Sequence, residues 1–325
     1  MKVYTDIDQL PQFTKAVLTI GTFDGVHLGH SLIIKQLLAE AKAVNGTPVL
    51  ITFFPHPKQV IDSLKKPIFL LNTPGEKYEL LSLKGIENIV VVPFDKSFAE
   101  QAAKNYIENF LVKKFQPYII IIGYDHKFGM NREGDYKLLE MEAVKHHFLV
   151  KEIPEHVLQN ITISSTKIRA ALFQGDIDTA SAYLGYNYFF SGTVVQGDKL
   201  GRTIGYPTAN LKVEDEKKLI PGNGVYAVEI EIENLPAASG KYNGKVKNLS
   251  GMMNIGVRPT IGGTKKVIEV NIFNFNQDIY GLLLKVTVKK WLRSEEKFGG
   301  LEELKAQLAI DKENATTFFS NKFPG

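Results

Sequence analysis

Short apolar runs alternate with amphipathic segments through the first half of the chain. The runs are rich in Val and Ile and have the length of buried strands in a parallel sheet. They cover residues 16–21, 48–54, 88–92, 117–122 and 148–153. Between them, apolar residues recur three and four positions apart, which predicts helices over 31–44, 74–84, 97–115 and 134–147. This alternation predicts right-handed βαβ crossovers and a parallel sheet with helices on both faces.

The pattern changes near residue 185. Two short helices are predicted just before it, over 165–174 and 176–184, the second with Asp176 as its N-cap. Beyond it, strand-like segments are separated by turn residues, and they cover 188–196, 224–233, 244–255, 265–273 and 282–290. Strands at this spacing, with one terminal helix over 301–309, predict a small closed or partly closed antiparallel barrel. We therefore predict two domains, residues 1–185 and residues 186–325.

Composition narrows the classes of function. The chain has 325 residues, no cysteine and a net charge of +4, so disulfides and thiolate metal sites are excluded. The N-terminal residues lack the apolar core of a signal peptide, and no apolar run approaches the length of a membrane span. Because the lysines are scattered, we expect neither nucleic acid nor a membrane as partner. We expect a cytoplasmic protein that binds anionic small molecules, either monomeric or weakly self-associating.

Residues 21–30, reading GTFDGVHLGH, join the first predicted strand to the first predicted helix. We call them the glycine–histidine turn. Open α/β sheets bind ligands at this edge, and a helix N-terminus offers free N–H groups to phosphate. Glycine lets the backbone approach a ligand, and imidazoles can hydrogen-bond phosphate oxygens. The turn therefore predicts a phosphate site, although two histidines three apart can also be ordinary exposed helix residues.

A second candidate phosphate segment is 163–169, reading ISSTKIR. It combines three hydroxyls with two cations at the start of a predicted helix, a composition suited to phosphate. Alone, it can equally be an N-cap followed by a basic helix face. The presence of the glycine–histidine turn upstream favours the phosphate-binding interpretation.

The two segments together resemble the histidine-containing nucleotidyltransferase superfamily. The full sequence of the glycine–histidine turn is similar to that of the FMN adenylyltransferase module of bacterial FAD synthetases. Two further stretches carry the same resemblance: 53–57, reading FFPHP, and 123–129, reading GYDHKFG. Both follow predicted strands, so they fall on the same sheet edge as the turn. Family members often read Phe-Arg-Phe-Gly after Asp125, whereas this chain has His126 and Lys127. The resemblance implies a Rossmann-like nucleotidyltransferase domain.

The chemistry that this resemblance implies is attack by an FMN phosphate oxygen on the α-phosphorus of ATP, with loss of pyrophosphate. We expect His27 and His30 to stabilise the transition state, and Asp125 to contact ribose or the phosphate end of the site. Phe54 and Phe128 either line the flavin or belong to the core. The residues predicted to bind substrate or nucleotide, among which Ser164, Thr166 and Arg169 hold the leaving phosphates, are Gly21, Phe23, Asp24, Gly25, Gly29, Phe54, Asp125, Phe128, Ser164, Ser165, Thr166 and Arg169.

In the second half, residues 192–210, reading GTVVQGDKLGRTIGYPTAN, form the most specific stretch. It lacks the Walker A spacing, but a glycine-rich turn can wrap phosphate with backbone N–H groups. Thr208 and Asn210 offer hard oxygen donors suited to Mg²⁺ on a nucleotide. A glycine-rich hairpin with a proline turn is the alternative interpretation. The binding residues predicted in this half are Gly197, Gly201, Arg202, Gly205, Pro207 and Arg293.

This stretch, with segments 253–260, 268–273, 278–281 and 292–298, resembles the riboflavin kinase domain. The resemblance implies that Thr208 and Asn210 ligate Mg²⁺ near the ATP phosphates and that Glu269 is the general base on the riboflavin 5′-hydroxyl. Strand alternation places Glu269 on the face opposite Ile268 and Val270, either free to reach a ligand or at the surface.

Two positions of this half carry open questions. Family members often have histidine where this chain has Asn271. Arg293 either binds phosphate or flavin, or pairs with Glu295 or Glu296. Neither question changes the prediction that Glu269 acts as the base.

Both halves together predict a bifunctional enzyme of flavin cofactor synthesis. The C-terminal domain would phosphorylate riboflavin with MgATP, and the N-terminal domain would adenylylate the resulting FMN to FAD. One alternative is that the N-terminal half transfers a nucleotide to another phosphorylated acceptor. The other is a flavin-binding or regulatory protein with one inactive site. The residues His126 and Asn271, which differ from those usual in the family, are the sequence features that favour it.

Overall fold

The computed structural model describes residues 1–61, 68–153, 163–197, 200–236, 244–260 and 263–322. The chain divides into two compact units, Met1–Ser165 and Thr166–Gly325. The predicted domain boundary at residue 185 stays a prediction. Each unit is described by itself below.

The first unit is built on a six-stranded parallel sheet in the order β1-β4-β3-β2-β5-β6. The strands are β1 Lys2–Tyr4, β2 Ala16–Ile20, β3 Pro48–Phe54, β4 Asn88–Pro93, β5 Pro117–Gly123 and β6 Leu149–Ile153. All five residues of β2 are buried, as expected for an apolar run at the centre of a parallel sheet. The edge strand β1 was not predicted, because its three residues carry no apolar pattern.

The strand order positions the candidate site. β2 lies between β3 and β5, and the direction of the crossovers reverses between β2 and β5. The segments that follow β2, β3 and β5 therefore leave the sheet side by side at its carboxyl edge. Such a switch point is where open α/β sheets bind ligands.

The helices of this unit are α1 Leu28–Val44, α2 Pro57–Ile61, α3 Pro74–Leu83, α4 Lys96–Ala99, α5 Ala103–Asn105, α6 Lys113–Phe115 and α7 Tyr136–His146. α1 begins three residues earlier than predicted, because His27 caps it. α7 begins at Tyr136 rather than 134, because Asp135 accepts a hydrogen bond from the backbone N–H of Leu138.

The single helix predicted over 97–115 is wrong. The chain is extended at Ala102 (φ −56°, ψ 141°), which separates α4 from α5. A π-helical segment, Tyr106–Val112, then joins α5 to α6. The wider turn places two aromatic and two aliphatic side chains of this segment in the core of the unit, and these are Tyr106, Ile107, Phe110 and Leu111.

The second unit contains a closed barrel in the order β10-β11-β8-β7-β12-β9. Its strands are β7 Phe189–Val195, β8 Ala209–Lys212, β9 Gly224–Leu235, β10 Gly244–Thr260, β11 Gly263–Ile272 and β12 Leu283–Arg293. All its strand pairs are antiparallel, so the predicted barrel is confirmed and is fully closed. β8 was not predicted, because its four residues gain strand geometry only by pairing with β7 and β11.

The helices of the second half are α8 Ser165–Phe173, α9 Ile177–Leu184, α10 Leu200–Thr203 and α11 Leu301–Lys322. Asp176 caps α9 as predicted, accepting from the backbone N–H of Thr179 at 3.0 Å. The predicted end of the terminal helix at 309 is wrong. α11 continues because Ala315, together with Phe318 and Phe319, packs against barrel residues such as Met252.

Candidate active sites

The glycine–histidine turn forms a compact pair of imidazoles at the start of α1. His27 is the N-cap, and its Nδ1 accepts a hydrogen bond from the backbone N–H of His30 at 3.4 Å. The two rings stack with centroids 3.7 Å apart and planes 17° apart. Because Nδ1 of His27 accepts, the neutral ring carries its hydrogen on Nε2. His27 therefore offers a donor beside the free N–H groups of the helix N-terminus.

The backbone of the turn is held in uncommon geometry. Phe23 (φ 49°) and Val26 (φ 36°) are non-glycine residues in the left-handed region. Such conformations persist only where surrounding contacts impose them, and they concentrate at functional sites. The predicted residues Gly21, Phe23, Asp24, Gly25 and Gly29 all lie in this turn and at the start of α1.

His30 is held in its neutral form. Burial, aided by the nearby charges of His27, Lys77 and Lys84, lowers the pKa of His30 well below its usual value. Its Nδ1 is buried and has no hydrogen-bond partner among the described residues. A protonated His30 would carry a hydrogen on that atom without an acceptor. The pair is therefore suited to hydrogen-bond a developing charge rather than to supply a permanent cation.

Asp24 anchors the turn to the start of α3. Its Oδ1 accepts from the backbone N–H groups of Leu71 at 2.9 Å and Asn72 at 3.3 Å. The predicted nucleotide contact of Asp24 stays a prediction. Ser165 Oγ donates to the Asp24 carbonyl oxygen at 2.9 Å, so the structure brings one residue of the second phosphate segment to the turn.

The other residues of the second phosphate segment are placed as follows. Ser164 and Thr166 are exposed, and Arg169 is buried on α8. Thr166 and Arg169 belong to the second compact unit, whereas Ser164 and Ser165 end the first. The roles of Ser164, Thr166 and Arg169 on the leaving phosphates stay predictions.

Two further predicted residues lie at the same sheet edge and are open to a ligand. Phe54, the last residue of β3, is 51% exposed, and Asp125 is exposed after β5. Phe128 differs, because its ring is buried in the core and stacks on Tyr106 with centroids 5.1 Å apart. Burial lowers the pKa of neighbouring His126 to about 4, so that ring is neutral near neutral pH.

In the second unit, a cavity of about 240 Å³ brings the predicted kinase residues together. Its lining includes Thr208, Asn210, Glu269 and Arg293. The strand register explains this, because Asn210 on β8 lies directly opposite Glu269 on β11. Side chains of directly opposed residues share a face of the sheet at close distance. Asn254 on β10 is the other neighbour of Glu269 and also lines the cavity.

Two of the three predicted glycines, Gly197 and Gly201, lie tightly against the Tyr206–Asn210 stretch, whereas a Cβ on Gly205 would meet nothing within 4 Å. A Cβ on Gly197 would lie 2.1 Å from Asn210 Nδ2, and a Cβ on Gly201 would lie 2.2 Å from the Tyr206 carbonyl oxygen. Asn271 Nδ2 donates to the Pro207 carbonyl oxygen at 2.7 Å. Asn271 on β11 thus holds this stretch against the barrel. Although many family members have histidine at this position, asparagine also provides a polar contact here.

Glu269 has a partner that the sequence did not reveal. Arg258 Nη2 donates to Glu269 Oε1 at 2.9 Å, and the Glu269 side chain is 24% exposed. Both residues line the cavity. Glu269 is therefore on the cavity side of β11 rather than on an outer surface of the barrel.

Arg293 pairs with neither Glu295 nor Glu296 in an ion pair. Instead, its Nε and Nη2 donate to the two carboxylate oxygens of Asp311 on α11, each at 2.8 Å. Asp311 is 1% exposed, and Gln307 donates to it as well. The sequence could not supply this partner, since the terminal helix was predicted to end before it. Arg293 still lines the cavity, so its predicted contact with ligand stays a prediction.

A second cavity of about 400 Å³ shares part of its lining with the first. It is lined by Gly205, Tyr206 and Pro207 together with Asn271 and the 272–276 segment. Tyr206 and Asn271 line both cavities. Arg202 is exposed on α10 and lines neither of the two. The two cavities therefore adjoin at Tyr206 and Asn271.

Two family models match the chain in tandem. The model for FAD synthetase matches residues 10–167, and the model for riboflavin kinase matches residues 184–319. A bifunctional riboflavin kinase/FMN adenylyltransferase from Escherichia coli K12 is 36% identical over 321 residues, covering 98% of this chain and 98% of that protein. A protein of the same name from Bacillus subtilis is 37% identical over 312 residues, covering 94% of this chain and 93% of that protein.

A solved structure shares the fold over nearly the full length. It is described as a macrolide-efflux protein from Streptococcus pneumoniae, with a TM-score of 0.80, 29% identity, and coverage of 97% of this chain and 98% of that chain. Across the described segments of this chain, no helix is both long and apolar enough to cross a membrane. The resemblance predicted from the motifs of both halves is confirmed. By identity along its whole length and by the order of its two domains, the chain belongs to the family of bifunctional riboflavin kinase/FMN adenylyltransferases.

Proposed function

We propose that this chain converts riboflavin to FAD in two ATP-dependent steps, one in each half. The observation that carries the proposal is the cavity of the second unit, where strand pairing sets Glu269 opposite Asn210 with Thr208 nearby. Its first step forms FMN, and FMN is the acceptor that the first half requires. This link between the halves favours FMN over another phosphorylated acceptor.

In the kinase step, Glu269 accepts the proton of the riboflavin 5′-hydroxyl as that oxygen attacks the γ-phosphorus of ATP. The O–P bond of FMN forms, the bond to the β-phosphate oxygen breaks, and ADP leaves. Arg258 donates to the Glu269 carboxylate at 2.9 Å and orients it in the cavity that both residues line. Arg293, held by Asp311, forms part of the cavity wall.

The residues at 208 and 210 fit a Mg²⁺ ion carried with ATP. Thr208 offers a hydroxyl and Asn210 an amide oxygen, both hard donors on one side of the cavity. Gly197 and Gly201 leave room for this stretch, since a Cβ at either position would collide with it. A bound Mg²⁺ would neutralise charge that develops on the transferred phosphate.

In the adenylyl step, an FMN phosphate oxygen attacks the α-phosphorus of ATP, and pyrophosphate leaves. His27 Nε2–H and neutral His30 hydrogen-bond the oxygens of the pentacoordinate centre at the N-terminus of α1. The protein forms no covalent bond to the substrates, because the acceptor phosphate is already deprotonated near pH 7. Its main contribution is to position the FMN phosphate and the α-phosphate of ATP. Phe54 and Asp125, at the ends of β3 and β5, provide the contacts to flavin and ribose.

We further propose a cytoplasmic location, since both steps consume ATP and the sequence carries no cysteine. The partners are small molecules only: ATP, riboflavin and FMN.

The test is a time course with riboflavin and MgATP in which flavins are separated by chromatography. FMN is expected first and FAD later, and FMN supplied directly is expected to give FAD. Unchanged riboflavin together with unchanged FMN would contradict the proposal. FMN without FAD would restrict the chain to the kinase reaction.

A further inference from the structure

A half-buried lysine joins three elements behind the glycine–histidine turn. Lys77 lies in the first turn of α3, and its Nζ donates to the Thr22 carbonyl oxygen at 3.2 Å and to Thr52 Oγ1 at 3.0 Å. Thr22 belongs to the glycine–histidine turn, and Thr52 belongs to β3 and is fully buried. The lysine therefore connects α3, the central sheet and the turn that carries both histidines.

This position is unfavourable for a cation. Burial lowers the pKa of Lys77 to about 8, against the attraction of Asp24, which raises it. Lys77 also lies near the N-terminus of α3, where the helix dipole opposes positive charge. Near neutral pH the side chain nevertheless remains mostly protonated, because its pKa stays above 7.

The hydrogen bonds of Lys77 do not account for this cost. The Thr22 carbonyl oxygen already accepts from Thr52 Oγ1 at 3.1 Å, so no buried acceptor would be orphaned without the lysine. Asp24 already joins the turn to the start of α3 through Leu71 and Asn72. A group with a strongly perturbed pKa beside a candidate site is itself a candidate for function.

The charge of Lys77 acts on the catalytic pair. The titratable groups whose charges act on His30 are His27 of the same turn and Lys77 and Lys84 of the α3 region, while Asp24 faces Lys77. A fixed cation behind the pair opposes protonation of His30. It also adds positive potential at a site that must receive the phosphates of both FMN and ATP.

We propose that Lys77 is a positioning residue for adenylyl transfer: its hydrogen bonds to Thr22 and Thr52 fix the glycine–histidine turn against β3, and its ammonium group places a positive charge behind the imidazole pair. The inference rests on the proposed adenylyl step at His27 and His30. It assigns a role to a side chain that the motifs of the turn do not include.

The test measures FMN adenylylation as a function of pH in wild type and three variants. Lys77→Met removes the charge and the hydrogen bonds but keeps the apolar stem. Thr52→Val removes both hydrogen bonds of the Thr52 hydroxyl, the one from Lys77 and the one to Thr22, and no charge. Lys84→Met removes a charge that acts less on His30 and has no hydrogen bond to the turn. Far-UV circular dichroism and limited proteolysis report in every variant whether the first unit is folded, and kinase activity reports on the second unit.

For Lys77→Met we expect kcat/KM for FMN to fall about 10- to 100-fold at the optimum, as for a misplaced catalytic group. We also expect the acid limb of the profile to move to higher pH, because His30 protonates more readily without the cation. Thr52→Val is expected to lower the rate without moving the acid limb. Lys84→Met is expected to move the limb less and to keep the wild-type rate at the optimum.

An acid limb of Lys77→Met that coincides with wild type would overturn the charge role, and a wild-type rate in Thr52→Val would overturn the positioning role. Should the first unit of Lys77→Met fail to fold, Lys77→Arg replaces it: retained charge predicts a wild-type acid limb, and a shifted limb would contradict the inference. Failure of the proposed function is distinct, because wild type itself would then form no FAD from FMN.

Discussion

Replacing Asp311 with alanine should destabilise the barrel and open the kinase cavity. The change leaves Arg293 with its charge but without the two 2.8 Å hydrogen bonds that the carboxylate accepts. Arg293 has a side chain that is only 17% exposed, so water replaces those bonds incompletely. Removing one partner of a buried ion pair costs about 3–5 kcal/mol. Because Arg293 keeps a hydrogen bond to the Ser294 carbonyl oxygen, we expect the lower end, about 3 kcal/mol.

The sequence offers a selective probe of this change. The chain has one tryptophan, and Trp291 lies on β12 two residues from Arg293, so its fluorescence reports on unfolding of the barrel alone. With a urea dependence of about 2 kcal/mol per molar, a loss of about 3 kcal/mol lowers the unfolding midpoint by about 1.5 M. The KM for riboflavin should rise as well, since Asp311 and Arg293 both line the cavity.

The matched control is Glu214→Gln, which removes an ion pair with Lys212 whose side chains are both more than 60% exposed. Exposed pairs contribute little, so its midpoint should coincide with wild type. A midpoint for Asp311→Ala that also coincides with wild type would refute the view that this pair attaches α11 to the barrel.

Three further variants separate the two halves. Glu269→Gln should lower FMN formation about 10²- to 10⁴-fold, the range for loss of a general base, and leave conversion of added FMN to FAD intact; equal loss of both would contradict the assignment. His30→Ala should do the reverse, with FAD formation reduced about 10²- to 10³-fold, and an unchanged rate would refute the role of His30. Gly201→Ala places a Cβ 2.2 Å from the Tyr206 carbonyl oxygen, so the kcat/KM of the kinase reaction should fall about tenfold or more while adenylylation persists. A wild-type kcat/KM would show that the loop tolerates the methyl group.

The features that sequence predicted are those encoded locally. The buried strands of the parallel sheet are apolar runs, so β2, β3 and β5 were predicted within one residue at either end. The imidazole pair was also local, because residues three apart meet on the first turn of a helix. Phe54 and Asp125 were predicted to lie at the carboxyl edge of the sheet because each lies at or just after the end of a predicted strand.

The features that sequence missed depend on long-range packing. β8 is a strand only because β7 and β11 flank it, and this pairing is what sets Asn210 opposite Glu269. Arg258 and Asp311 look like ordinary surface charges until the register and the length of α11 are known. The sequence places Lys77 on the polar face of an amphipathic helix, and only the folded chain shows that its Nζ hydrogen-bonds the glycine–histidine turn.

The central claim is that one chain performs two chemically different transfers from ATP in series, and the fate of labelled phosphate tests it most directly. With riboflavin and ATP labelled at the γ-phosphate, label should enter FMN first and then FAD. With ATP labelled at the α-phosphate, label should enter FAD alone, together with release of unlabelled pyrophosphate. Label from the α-phosphate in FMN, or FAD formed without it, would contradict the account.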